Sequence, residues 1–123
     1  MIPINKLQSK IYQALNSLDI KVYDEVPLNS VMPLISIGDY NLASIEYKDN
    51  GFIFLWTINI YTEYEGKKQV NELVSKSIGC LYELKNQVLN QDYCIDDVML
   101  SEANINRVEG FYVANLSIRI EIN

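Results

Sequence analysis

Near the start of the chain, apolar residues recur at intervals of three and four: Ile4, Leu7, Ile11, Leu15 and Leu18. That spacing puts them on one face of a helix over residues 4–18. Pro3 suits its opening turn, where a missing backbone N–H costs nothing. Ile20-Lys21-Val22-Tyr23 reads as a brief extended segment, and the prolines and the Asn29-Ser30 pair of residues 27–33 predict a loop. The period then shortens to two. Leu34-Ile35-Ser36-Ile37 reads as a strand ended by Gly38-Asp39. Residues 42–48 and 52–62 read as the arms of a hairpin around Asp49-Asn50-Gly51, because Asn-Gly readily takes the positive φ angles of a tight turn. In the second arm Phe52, Phe54, Trp56, Ile58 and Ile60 share one face. Thr57, Asn59 and Tyr61 share the other, which predicts that part of it meets water or another subunit.

Glu65-Gly66 breaks that pattern and a longer helix follows. Val70, Leu73, Val74, Ser77, Ile78, Leu81, Leu84 and Val88 form its apolar stripe, opposite Asn71, Glu72, Lys76, Glu83 and Asn86. Gly79 inside it costs about 1 kcal/mol relative to alanine. It marks either close packing against a neighbour or an uncompensated glycine. Residues 94–108 form an irregular strand, whereas residues 112–122 alternate cleanly: Tyr112, Ala114, Leu116, Ile118, Ile120 and Ile122 face one way. Asn115, Ser117, Arg119 and Glu121 face the other, and Glu109-Gly110 supplies the turn between the two strands. The order predicts an α+β fold: an antiparallel β-sheet of about four to five strands with two helices packed on one face.

A chain of 123 residues, 49% of them apolar and with no internal repeat or low-complexity linker, fits one domain over residues 1–123 with a core of its own. The opening residues lack the charged flank and long apolar run of a secretory signal. The longest mostly apolar stretch, residues 52–60, is about half a membrane span. Both features predict a cytoplasmic protein with no membrane partner. Cys80 and Cys94 are too few for a disulfide scaffold and read as reduced, partly buried thiols. The net charge of −6, with ten scattered basic residues, argues against gripping nucleic acid by its phosphates or reading its sequence.

Several chemistries lack their side chains. With no histidine, neither Ser-His-Asp nor Cys-His nucleophilic systems can form, and no Cys/His zinc set exists. Gly66-Lys67-Lys68 precedes a helix but lacks the upstream glycine and the following Ser or Thr of a phosphate-binding loop. Asp96 with Asp97, and Glu63 with Glu65, are the only carboxylate pairs worth weighing as general acid and base. The former would point to opposite faces of a strand; the latter would sit at a solvated turn. Asp39-Tyr40-Asn41 lacks the other ligands of a calcium loop. The expectation is a protein that is not an enzyme and uses neither metal nor cofactor.

The positive feature is tyrosine: nine, against three phenylalanines and one tryptophan. Tyrosine couples a large apolar area to a hydroxyl that tolerates water, and so is enriched at protein interfaces. Tyr40, Tyr47, Tyr61 and Tyr64 fall around the loops at the ends of the central hairpin. The expected partner contacts are Asp39, Tyr40, Tyr47, Lys48 and Asn50 in residues 38–51, and Tyr61, Glu63 and Tyr64 in residues 61–65.

An ordered set of short motifs runs through most of the chain. The opening helix leads to Val22-Tyr23-Asp24-Glu25-Val26-Pro27, then to Met32-Pro33-Leu34-Ile35-Ser36-Ile37-Gly38-Asp39. Trp56-Thr57-Ile58-Asn59-Ile60-Tyr61 follows, and Gly66-Lys67-Lys68-Gln69-Val70 opens the second helix. In this order they resemble the tail-completion, or head-to-tail joining (tail-terminator-like), proteins of long-tailed bacteriophages and prophages. The chain departs from the family at Ile45-Glu46-Tyr47-Lys48, where many members carry Thr-Lys, and in the placement of its tryptophan.

The resemblance implies a non-enzymatic virion assembly protein, made in the host cytoplasm and ending in the neck or upper tail of the virion. Six copies would ring the DNA channel, between the tail tube protein and the head connector or adaptor protein, and the free chain could be monomeric. Two other readings compete. One is a small non-catalytic protein- or ligand-binding domain unrelated to phage; the other is a carboxylate enzyme, which requires converging acids in a concave site.

Overall fold

The computed structural model describes residues 1–47, 50–63 and 66–123. Seven elements follow in chain order: α1 (Ile4–Asn16), β1 (Lys21–Tyr23), β2 (Leu34–Ser44), β3 (Phe52–Glu63), α2 (Lys68–Tyr82), β4 (Ile95–Val108) and β5 (Phe111–Ile122). The strands make one sheet in the order β1-β2-β3-β5-β4. The β2–β3, β3–β5 and β5–β4 pairings are antiparallel, whereas β1 lies parallel to β2. The sheet is therefore mixed, correcting the antiparallel expectation at its first edge. Residues 24–33 supply the crossover that a parallel neighbour requires and a tight turn cannot provide.

Both helices lie on one face of the sheet. Leu7, Ile11 and Leu15 of α1 and Val70, Leu73 and Leu81 of α2 share a core with Phe54, Trp56, Ile58 and Ile60 of β3 and with Ala114, Leu116, Ile118, Ile120 and Ile122 of β5. Burying each large apolar side chain is worth about 1.5–3 kcal/mol, so β3 and β5 carry much of the stabilisation. Thr62 and Ser77 are buried with their hydroxyls unpartnered, a local cost inside that core.

The strand that was expected to stop at Gly38-Asp39 continues to Ser44. The register shifts between Ile37, opposite Ile58, and Tyr40, opposite Trp56, so β2 spends one residue more than β3. This bulge reverses the alternation, and Tyr40 and Leu42 join Ile35 and Ile37 on the helix side. Gly38 permits it: a Cβ there would lie 3.1 Å from the Thr57 carbonyl oxygen and 3.3 Å from Asn59 Nδ2. The indole Nε1 of Trp56 donates to the Gly38 carbonyl oxygen at 3.0 Å.

β2 ends at Ser44, opposite Phe52, so residues 45–47 do not extend the expected hairpin arm. Asn50 has the predicted positive φ of 62°, and Ile45 is buried with its N–H donating to the Gly51 carbonyl. Lys48 and Asp49 lie outside the described residues.

Helix α1 ends at Asn16, two residues earlier than expected, and α2 ends at Tyr82 rather than running on towards Val88. Leu84 stays buried, but Asn86 turns the chain at φ 72° and its N–H donates to the Ile95 carbonyl. Asparagine tolerates that left-handed conformation, which redirects the chain after the helix has ended. Val88 is consequently 66% exposed. A Cβ on Gly79 would meet nothing within 4 Å, which selects the uncompensated reading of that glycine.

The irregularity of β4 has a cause as well. Register shifts between Ile95 and Asp97 and between Leu100 and Glu102 change which residues face the helices. Val108 pairs with Phe111 across the predicted Glu109-Gly110 turn, where Gly110 has φ 78°. Cys80 and Cys94 are unpaired and half-buried, as expected.

Candidate interaction surfaces

The predicted contact residues do not form one patch. Tyr40 is the best anchored. The β2 bulge turns it onto Trp56 and Phe54, with ring centroids 4.6 and 5.6 Å away, and leaves it partly open to solvent. Tilted rings at these separations match the edge-on attraction between aromatic quadrupoles. Asp39 occupies the bulge itself and is exposed. Tyr47 and Asn50 are exposed in the 45–51 connection, and Tyr47 is 77% exposed.

Tyr61 and Glu63 lie towards the opposite end of β3, about 30 and 36 Å along the strand from its start at Phe52. Tyr61 is on the face away from the helices, with its ring 6.4 Å from Phe111, and Glu63 is exposed at the strand end. Lys48 and Tyr64 fall outside the described residues. Tyr47 and Asn50 thus lie beyond one end of β3 and Tyr61 and Glu63 at the other, with Asp39 and Tyr40 between them, level with Trp56.

The face turned away from the helices is half-buried along its centre. Asn115 Nδ2 donates to Asn59 Oδ1 at 2.6 Å, and Arg119 pairs with Glu121 at 2.7 Å. Asp97 lies opposite Glu121 in the ladder, and its carboxylate takes Lys85 Nζ at 3.7 Å. These two carboxylates are neighbours, but each has its own cation.

Two features could not be placed from the sequence. One is a groove of 560 Å³ between the polar side of α1, at Asn5, Gln8, Ser9, Tyr12 and Gln13, and the start of the sheet at Val22, Tyr23 and Ile37. It leads to a second concavity of 550 Å³ along Gly38, Asp39, Tyr40 and Asn41, bounded by Gln8 and Asp24. The other is a pair of open sheet edges, on β2 beyond the end of β1 and along β4. A glycine inside an apolar alternating run was the available sign that β2 bends there rather than stops.

Among the described residues, no group of three or more Cys, Asp or Glu could hold a metal ion, and no helix is long and apolar enough to cross a membrane. What fold and surfaces together define is a small α+β unit whose distinguishing features are open edges and shallow grooves.

No family model matches the chain, and no curated protein does. Among solved structures, it is similar to a chain in the virion of a native gene transfer agent particle. The two superpose with a TM-score of 0.81 at 20% identity, covering 99% of this chain and 98% of that one. The likeness spans both chains almost completely and establishes that they share a fold.

Proposed function

We propose that the protein is a virion structural component that completes a phage-type tail and joins it to the head connector, as a six-membered ring around the DNA channel in the neck. The observation that carries this reading is the end-to-end fold likeness to a chain of a gene transfer agent virion. The ordered motifs from the opening helix to Gly66-Lys67-Lys68 support it independently, because they draw on residue identity and the fold comparison draws on shape.

Three physical features suit the role. A net charge of −6 per subunit, multiplied around a ring, repels a passing duplex and lets it slide rather than stick. A subunit with free edges on two different sides favours head-to-tail contacts, which close into rings when the rotation per copy allows. Tyr47 and Asn50 beyond one end of β3, and Tyr61 and Glu63 at the other, would let one end meet the tail tube protein and the other the head connector or adaptor protein. On this reading the protein is not an enzyme: joining is its work, and Asp97 and Glu121 serve as ion-pair partners of Lys85 and Arg119.

Deleting the gene from the genome that encodes it tests the proposal. The expected result, by electron microscopy of lysates, is separate heads and tails, with joining restored when the purified chain is added. Complete particles assembled in its absence would refute it.

A further inference from the structure

The sheet ends on two free edges, and they match. On β2, β1 covers the outer edge only at Leu34, Ile35 and Ser36, leaving residues 37–44 open. On β4 the outer edge has no partner among the described strands. Its residues 102–108 form a bulge-free run that is exposed throughout. We propose that residues 103–108 of β4 pair antiparallel with residues 39–44 of β2 in a second copy of this chain. Such pairing would give the ring proposed above its subunit contact, and it rests on that reading for the number of copies.

The sheet's own directions fit. Three successive antiparallel pairings, β2–β3, β3–β5 and β5–β4, leave β4 antiparallel to β2. A copy that continues the sheet therefore presents the more stable kind of ladder. Faces fit as well. Ala103, Ile105 and Arg107 lie on the helix side, opposite Leu116, Ala114 and Tyr112. Tyr40, Leu42 and Ser44 lie on the helix side, opposite Trp56, Phe54 and Phe52. With the helices of both copies on one side, Ile105 meets Leu42, Ala103 meets Ser44 and Arg107 meets Tyr40. Ile105, now 39% exposed, would be covered by a half-buried leucine.

Charge selects the same register. The concavity along residues 38–41 carries Asp24 and Asp39, and Arg107 is the cationic residue of the run that would lie against it.

β1 sets the stagger. Within one sheet Ile105 is level with Ile35, through Ala114 and Ile60. Pairing Ile105 with Leu42 offsets successive copies by about six strand positions, or roughly 20 Å. An unstaggered copy would run into β1. Such an offset is what tilts strands when a sheet closes on itself.

The sparse edge protection of this run, whose charges are Glu102 and Arg107, points the same way. Exposed edges of soluble proteins carry prolines, lysines or bulges that discourage pairing. Residues 102–108, Glu-Ala-Asn-Ile-Asn-Arg-Val, contain neither residue, and both β4 bulges lie upstream.

The test places cysteines at Ser44 and Ala103 in a chain carrying Cys80→Ser and Cys94→Ser. Within one chain β3 and β5 separate these positions, so they stand at least about 14 Å apart, beyond disulfide reach. Mild oxidation is expected to give a ladder of linked oligomers from the double variant, and none from either single one. In the otherwise native chain, Ile105→Lys is expected to return the sedimenting species to monomer with an unchanged circular dichroism spectrum.

An oligomer that survives Ile105→Lys and yields no ladder would overturn the edge contact while leaving the joining role intact. A chain that stays monomeric and uncrosslinked up to about 1 mM, with tail tubes present, would also overturn the contact. The joining role would still be judged separately, by the gene deletion.

Discussion

Strands β5 and β4 lie side by side in one hairpin, paired from Val108 and Phe111 to Ile95 and Ile122, and their surroundings could hardly differ more. Every helix-facing residue of β5 from Tyr112 to Ile122 is buried, whereas residues 101–108 of β4 are exposed on both faces. The difference is one of position in the sheet. β5 has a strand on each side and helices above it; β4 has one neighbour, and its distal half extends past the helical cover. An isoleucine in β5 therefore stabilises the fold, and an isoleucine at position 105 adds little to it. The centre of the sheet specifies the molecule, and its margin is left open.

The sharpest way to break this contrast is to truncate the same residue type in both strands. Ile118→Ala should cost about 2–5 kcal/mol, because it removes a fully buried side chain that its neighbours cannot replace. Ile105→Ala should change monomer stability by no more than about 0.5 kcal/mol. Urea denaturation of the monomer measures both, and equal losses would contradict the difference between centre and margin.

A smaller effect tests how the centre fixes the first edge. Gly38→Ala should destabilise by about 1–3 kcal/mol, since the new methyl group crowds the Thr57 carbonyl, a backbone group of the central strand β3 that cannot easily give way. The same substitution should quench or shift Trp56 fluorescence, because the indole is hydrogen-bonded to the residue that moves. An unchanged denaturation midpoint would mean the bulge tolerates a side chain.

A further substitution has the opposite sign. Gly79→Ala should stabilise the monomer by about 1 kcal/mol, because alanine loses less backbone freedom on folding and its methyl group meets open space. A loss of stability would reveal crowding around α2 that the monomer does not contain.

How much of this was legible in the sequence depends on how local the cause is. The helical face of Ile4, Leu7, Ile11 and Leu15, the alternation of β5 and the Glu109-Gly110 turn were readable because each follows from chain periodicity or from one residue's backbone freedom. The α+β class followed from their order. The candidate contacts were read as a cluster because Tyr40, Tyr47 and Tyr61 are close in sequence, but a strand of twelve residues carries Tyr61 far from Tyr47.

Residue types along the chain determined which segments would bury a face and which chemistries lack their side chains. Only the tertiary structure decided that Gly38 bends a strand rather than ending it, since the reason is a carbonyl nineteen residues away, at Thr57. It alone placed β1 parallel to β2 and β4 at the margin, because the neighbours a strand acquires depend on contacts between distant segments. Those contacts leave no period in the sequence. They nonetheless settle which backbone groups find partners within the chain and which are left at its edges.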